Sequence, residues 1–193
     1  MIEVLVVLAV VVVVPLLWAV VLYNRLVRLK NMVMEGWSGI DVQLKRRANL
    51  IPNLIEAVKG YMGHERGVLE SVTELRAKSM GGGAPGEQGR IAGALGRSLV
   101  NLFAVAENYP DLKANQNFMD LQDQLAEIED QIQLARRYYN GAARNNNIAC
   151  ESFPSVIIAR KFAFKGAEFF EIEDADDRAV PKVSFEAATG VGE

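Results

Sequence analysis

The stretch FMDLQDQLAEIEDQIQLARRYY, residues 118–139, decides the fold class. Its apolar residues Phe118, Leu121, Leu125, Ile128, Ile132, Ala135 and Tyr139 follow one another at alternating steps of three and four. A helix of 3.6 residues per turn gathers such positions into one stripe. Asp120, Asp123, Glu127, Glu129, Asp130, Arg136 and Arg137 are left for the wet faces. A heptad seam of this kind is stable only when it is buried against other helices, so the spacing predicts a helical bundle.

Both flanks extend the pattern. Upstream, Ile91, Leu95, Leu99, Leu102, Phe103 and Ala106 share one helical side, and the run stops at Tyr109-Pro110, where the residue before proline is pushed out of the helical region. The preceding GGGAPGEQG, residues 81–89, predicts a flexible turn. Before it, Ile40, Leu44, Ile51, Leu54, Ile55, Val58, Met62, Leu69, Val72 and Leu75 predict one long helix to about residue 79, with a bend or break at Gly36 and Gly39 or at Pro52. Downstream, Ser152-Phe153-Pro154 interrupts the chain. Val156, Ile157, Ile158, Phe162 and Phe164 then predict a short apolar helix that ends near Gly166 and covers one end of the core. No sustained period-two run occurs, so the expected class is all-α, and short connections favour antiparallel neighbours.

At the N-terminus, VLVVLAVVVVVPLLWAVVL runs from Val4 to Leu22 as 19 residues without a charge. At about 1.5 Å per residue that length spans the hydrocarbon of a bilayer. Val4, Leu8, Val12, Pro15, Trp18 and Leu22 mark the expected span, residues 1–23 forming a single transmembrane anchor. Met1-Ile2-Glu3 lacks the positive start of a signal peptide, and no small-residue cleavage site follows. Membrane helices tolerate a proline such as Pro15. Tyr23 falls at headgroup depth, and Arg25, Arg28 and Lys30 follow at once. The positive-inside rule then places the N-terminus outside and the body in the cytoplasm. The anchor is expected to continue into a cytoplasmic antiparallel bundle of about four main helices over 24–166. An acidic extended tail over 167–193, with Glu171, Glu173, Asp174, Asp176 and Asp177, completes the chain.

The body offers little for chemistry. A formal net charge of −3 and a pI of about 5.4 give no basic footprint for nucleic acid. The one cysteine, Cys150, cannot form an internal disulfide, which fits a reducing compartment. His64-Glu65 resembles the start of a zinc-protease motif, but position 68 is Val where the second imidazole is needed. Glu127 and Asp130 lack the Glu-x-x-His pairs of a di-metal bundle, and the glycines of 81–89 have no strand before them and no Gly-Lys-Ser/Thr after them. No catalytic residue, cofactor, metal or small-molecule substrate is expected.

Two blocks are unusually polar for helices. Arg136-Arg137-Tyr138-Tyr139-Asn140, with Asn145, Asn146 and Asn147, either satisfies backbone groups near helix ends and neighbouring helices or forms a polar recognition surface. The other block, around Asn49 to Tyr61, belongs to a set of recognisable phrases. Arg46-Arg47-Ala48-Asn49-Leu50-Ile51-Pro52-Asn53-Leu54-Ile55, then Val58-Lys59-Gly60-Tyr61 and His64-Glu65, resemble the first signature of the LemA family. Tyr109-Pro110-Asp111-Leu112-Lys113-Ala114 with Asn117-Phe118 resemble the second. Arg137-Tyr138-Tyr139-Asn140 and Ser152-Phe153-Pro154-Ser155 with Ile158-Ala159 resemble the last. The similarity runs from about residue 20 to 173. It implies a single-pass bacterial membrane protein, a bundle of long antiparallel helices and no established enzymatic activity. Many relatives carry Asp where this chain has Asn49, so no carboxylate role transfers to that position.

The expected function is therefore non-enzymatic: a membrane-anchored helical scaffold in contact with the lipid bilayer. It would associate with itself, as a homo-oligomer, through the stalk or stripes such as Phe118 to Tyr139, and present helical faces to other envelope proteins. The alternative is an adaptor or regulatory subunit of a membrane protease or an envelope-stress signalling system. Asn49, Pro52, Tyr61, His64, Tyr138, Asn140, Phe153 and Pro154 are the candidate interaction residues.

Overall fold

The computed structural model describes residues 1–62 and 65–172, with residues 5–9 described by their backbone alone. Six helices appear in order among them: α1 Ile2–Lys59, α2 Arg66–Met80, α3 Pro85–Ala106, α4 Pro110–Lys113, α5 Gln116–Glu151 and α6 Ser155–Lys161. No strand occurs among the described residues, so the fold is all-α as the periodicity predicts. Four of the six, α1, α2, α3 and α5, are the main helices.

The 58 residues of α1 extend about 87 Å at 1.5 Å per residue, and its two halves differ in kind. Val10 to Val14 are 50–64% exposed, whereas Leu26, Ile40, Leu44, Ala48, Ile51, Leu54 and Val58 recur at helical spacing on a buried face. Among the described residues α1 is the one helix long and apolar enough to cross a membrane. Pro15 and Pro52 both lie inside it, and neither ends it.

Helix α5 lies antiparallel on the second half of α1. The pairings run in opposite directions: Tyr61 with Asn115, Arg47 with Glu129, Glu35 with Tyr138, and Leu26 in one cluster with Ala149. The Asn115 side chain caps α5 by accepting from the Phe118 amide at 3.2 Å. The heptad seam is internal: Phe118, Leu125, Ile128, Ile132 and Tyr139 are buried within the chain's own core. Each large side chain so buried stabilises the fold by roughly 1.5–3 kcal/mol. The hairpin of α2 and α3 covers only the far part of this pair, where Ile51, Leu54, Val58, Val72, Leu95, Leu102 and Phe118 form the largest core cluster.

Several expected boundaries move. The predicted helix to about residue 79 is two helices, because the chain turns between Lys59 and Arg66 rather than at Pro52. Gly36 and Gly39 do not interrupt α1 either. A Cβ at Gly36 would meet Tyr139 Cα at 3.0 Å, so that glycine serves the close approach of α5. The turn expected over 81–89 shrinks to 81–84, since Pro85 occupies the first turn of α3, where its missing N–H costs nothing. The short helix α6 ends at Lys161 rather than near Gly166. Residues 167–172, grouped with the tail by their sequence, are extended and lie against the bundle, with Phe170 fully buried. The rest of the tail, 173–193, lies outside the described residues.

Candidate interaction surface

The polar blocks read from the sequence resolve into two built features. The first is a clamp on the segment after α6. Asn140 of α5 accepts from the Phe170 amide at 2.9 Å and donates to the Phe170 carbonyl at 3.1 Å. Asn147 does the same for Ala167, accepting at 2.7 Å and donating at 2.9 Å. Seven residues of helix and three of extended chain both advance about 10 Å, so the two amides match the two backbone positions. Asn146 donates to the Lys165 carbonyl at 3.0 Å, and the Tyr139 hydroxyl donates to the Glu168 carbonyl at 2.7 Å. Burial and the nearby Glu168 push the Tyr139 hydroxyl pKa up, holding it protonated as the donor this bond requires.

The clamped segment also touches α3. A Cβ at Gly89 would sit 2.2 Å from the Glu171 carbonyl oxygen, and one at Gly93 2.2 Å from that of Ile172. Glycine is required at both places for backbone to lie on backbone. Beside the segment is an open groove of about 510 Å³, lined on the α5 side by Arg136, Arg137 and Arg144.

The second feature is Arg47, 2% exposed at the junction of three helices. It donates from Nη1 to Glu129 of α5 at 2.8 Å and from Nη2 to the Ala92 carbonyl of α3 at 3.1 Å, while its Nε has no partner. Burial lowers its pKa and the adjacent Glu129 pushes it back up. The guanidinium thus ties α1, α3 and α5 together.

The sequence-selected residues do not converge. Asn49 and Pro52 are exposed on the far half of α1 and Tyr61 in the turn after it, Tyr138 is exposed near Glu35, and Phe153 is exposed at the opposite end of the bundle. By the antiparallel register Tyr61 and Phe153 are separated by about 60 Å. Asn140 is committed to Phe170 and Pro154 is half-buried, while His64 lies outside the described residues. Pro52 lines a cleft of about 970 Å³ between α1 and α2, with Ile55, Leu69 and Ala77. Of the span residues, Val4, Val12, Pro15 and Trp18 are exposed and Leu22 is buried; the Leu8 side chain lies outside the described residues. Sequence reasoning missed Arg47 and the carbonyls that the asparagines bind. The pairing of amides seven apart was the available signal for the clamp. No three His, Cys, Asp or Glu side chains converge among the described residues.

The sequence model of the LemA family matches residues 36–185. Magnetosome protein MamQ 2 of Paramagnetospirillum magneticum is 26% identical over 184 residues, covering 82% of this chain and 68% of the relative. Magnetosome protein MamQ of Magnetospirillum gryphiswaldense is 24% identical at the same coverage. Protein LemA of Metamycoplasma hominis is 25% identical over 157 residues, 79% of this chain and 70% of its own.

Proposed function

Because this chain belongs to the LemA family, we propose that it is a non-enzymatic scaffold anchored by α1 in the bacterial inner membrane, which self-associates and presents its cytoplasmic bundle to other envelope proteins. One observation carries the reading: α1 passes without a break from exposed Val10–Val14 into the buried face that organises the bundle. A rigid coupling of this kind transmits position and orientation from bilayer to body. Exposed Arg25, Arg28 and Lys30 just beyond the apolar run favour the body on the cytoplasmic side.

The route of self-association is narrowed by burial. The seam from Phe118 to Tyr139 is consumed internally, so copies would meet through the apolar half of α1 or through outer faces. Cross-linking tests this: with Cys150→Ala to remove the native thiol, Val12→Cys in native membranes gives a disulfide-linked pair under mild oxidation. A body digested by protease added outside intact spheroplasts contradicts the orientation, and no pair from Val12→Cys contradicts contact through the span.

A second reading, an adaptor for a membrane protease, draws on the cleft beside Pro52. Its apolar walls at Ile55, Leu69 and Ala77 suit a helical or extended segment of a partner. Replacing Ala77 by a bulky charged residue would then release one envelope protein at fixed stoichiometry without changing self-association.

A further inference from the structure

The most exposed apolar side chain of the bundle, Phe153, has two further exposed apolar side chains near it in the chain. Phe153 is 81% exposed, Ile157 57% and Phe162 54%. All three belong to α6 or its flanks, and a core-covering helix has no internal use for them there.

Their position relative to α1 is fixed by three observations. Ile158, Lys161 and Phe162 share a cleft of about 440 Å³ with Leu16, Ala19, Val20 and Tyr23 of α1. Tyr23 stacks edge-on with Phe162, ring centroids 4.9 Å apart, and with Phe164 at 5.6 Å. Leu26 and Ala149 lie in one cluster, so the end of α5 at Glu151 and the Phe153 turn just beyond it come near the level of Leu22. The charge pattern agrees: Arg160, Lys161 and Lys165 are exposed around α6, beside Arg25, Arg28 and Lys30 of α1. Apolar rings at the end of a membrane span, rimmed by cations, are the composition of an interfacial element.

We propose that α6 and the Phe153 turn form a second membrane contact, a foot that lies in the headgroup boundary of the leaflet from which α1 emerges. Phe153, Ile157 and Phe162 dip into the acyl edge, and Arg160, Lys161 and Lys165 meet anionic phosphates. The proposal rests on the reading of α1 as a span. With one contact a helical stalk is free to tilt and spin; with two, the bundle is held at a set angle and rotation on the membrane. The Pro52 cleft and the clamp then face fixed directions, which is what an assembly of identical copies in one plane requires.

The test uses full-length protein in vesicles of phosphatidylcholine and phosphatidylglycerol. A Cys150→Ala background carries a single fluorophore at Val12→Cys, Phe153→Cys, Ile157→Cys or Met119→Cys, the last about 50 Å from the foot by helical rise. Lipids spin-labelled shallow or deep in the acyl chain serve as quenchers. The expected result is quenching at Phe153 and Ile157 mainly by the shallow label, at Val12 by the deep label, and none at Met119. Quenching at Val12 with both foot positions as dark to lipid as Met119 overturns the foot and leaves the anchor standing. Absence of quenching at Val12 removes the anchor, and the foot with it.

Discussion

Arg76 of α2 donates from Nε to the carbonyl of Ala48 at 2.8 Å, and Ala48 is the residue whose carbonyl Pro52 leaves without its helical donor. The proline that should weaken α1 has instead created an acceptor to which a neighbouring helix is tied. This explains how α1 continues through Pro52 and why α2 docks beside it.

The exchange predicts a measurable coupling. Arg76→Met leaves a part-buried carbonyl unsatisfied and costs about 1–2 kcal/mol. In a Pro52→Ala background the restored backbone N–H takes over, so the same substitution costs at least ~1 kcal/mol less. A double-mutant cycle by chemical denaturation reads the difference; equal costs in both backgrounds contradict it.

Arg47 and Glu129 should respond unequally to truncation. Glu129→Leu strands a buried guanidinium with only the Ala92 carbonyl and an unpaired Nε. Arg47→Met strands a carboxylate whose side chain is 41% exposed and can turn to water. Because solvent already screens Glu129, the loss in Glu129→Leu is discounted to roughly 2–3 kcal/mol, still above that of Arg47→Met. Melting temperatures in the reverse order refute the asymmetry.

The asparagine clamp is tested at the amides it holds. Asn140→Ala removes the acceptor of the Phe170 N–H, and Asn147→Ala that of the Ala167 N–H. Each should speed hydrogen exchange at its own amide by about 5- to 30-fold, since one or two hydrogen bonds at ~1 kcal/mol each are lost. Gly93→Ala, which collides with the Ile172 carbonyl without touching either asparagine, should also release the segment. Unchanged exchange in all three variants would mean that the segment is held by Phe170 alone.

Tyr139 links the clamp to alkaline pH. Its pKa is raised in the fold above the ordinary 10.0, so the unfolded chain releases this proton first. The stabilisation is fully present below pH 10.0 and is lost as pH rises through the higher folded value. Phenolate absorbance should show one fewer late-ionising tyrosine in Tyr139→Phe, and that variant should flatten the loss of stability between pH 10.0 and the folded value; no difference between the variants contradicts the assignment.

Much of the fold is legible in the sequence because periodicity encodes burial directly. The steps of three and four from Phe118 to Tyr139 become the buried face of α5, and the uncharged run before Tyr23 becomes the exposed half of α1. What misled was local propensity. Gly36 and Pro52 read as bends and Gly89 as part of a turn, yet each is spent on a tertiary contact: the backbone of α5, the guanidinium of Arg76 and the segment after α6. The candidate site was legible only in composition. The asparagines announced backbone bonding, but their partners at Ala167 and Phe170 lie about 20–30 residues away.

The central claim, an anchored scaffold that assembles with itself, is tested most directly by native mass spectrometry of the full-length protein taken from its own membranes in mild detergent. The account predicts a homo-oligomer of defined stoichiometry. A strictly monomeric chain, or a small complex of one copy with one other envelope protein, would contradict it.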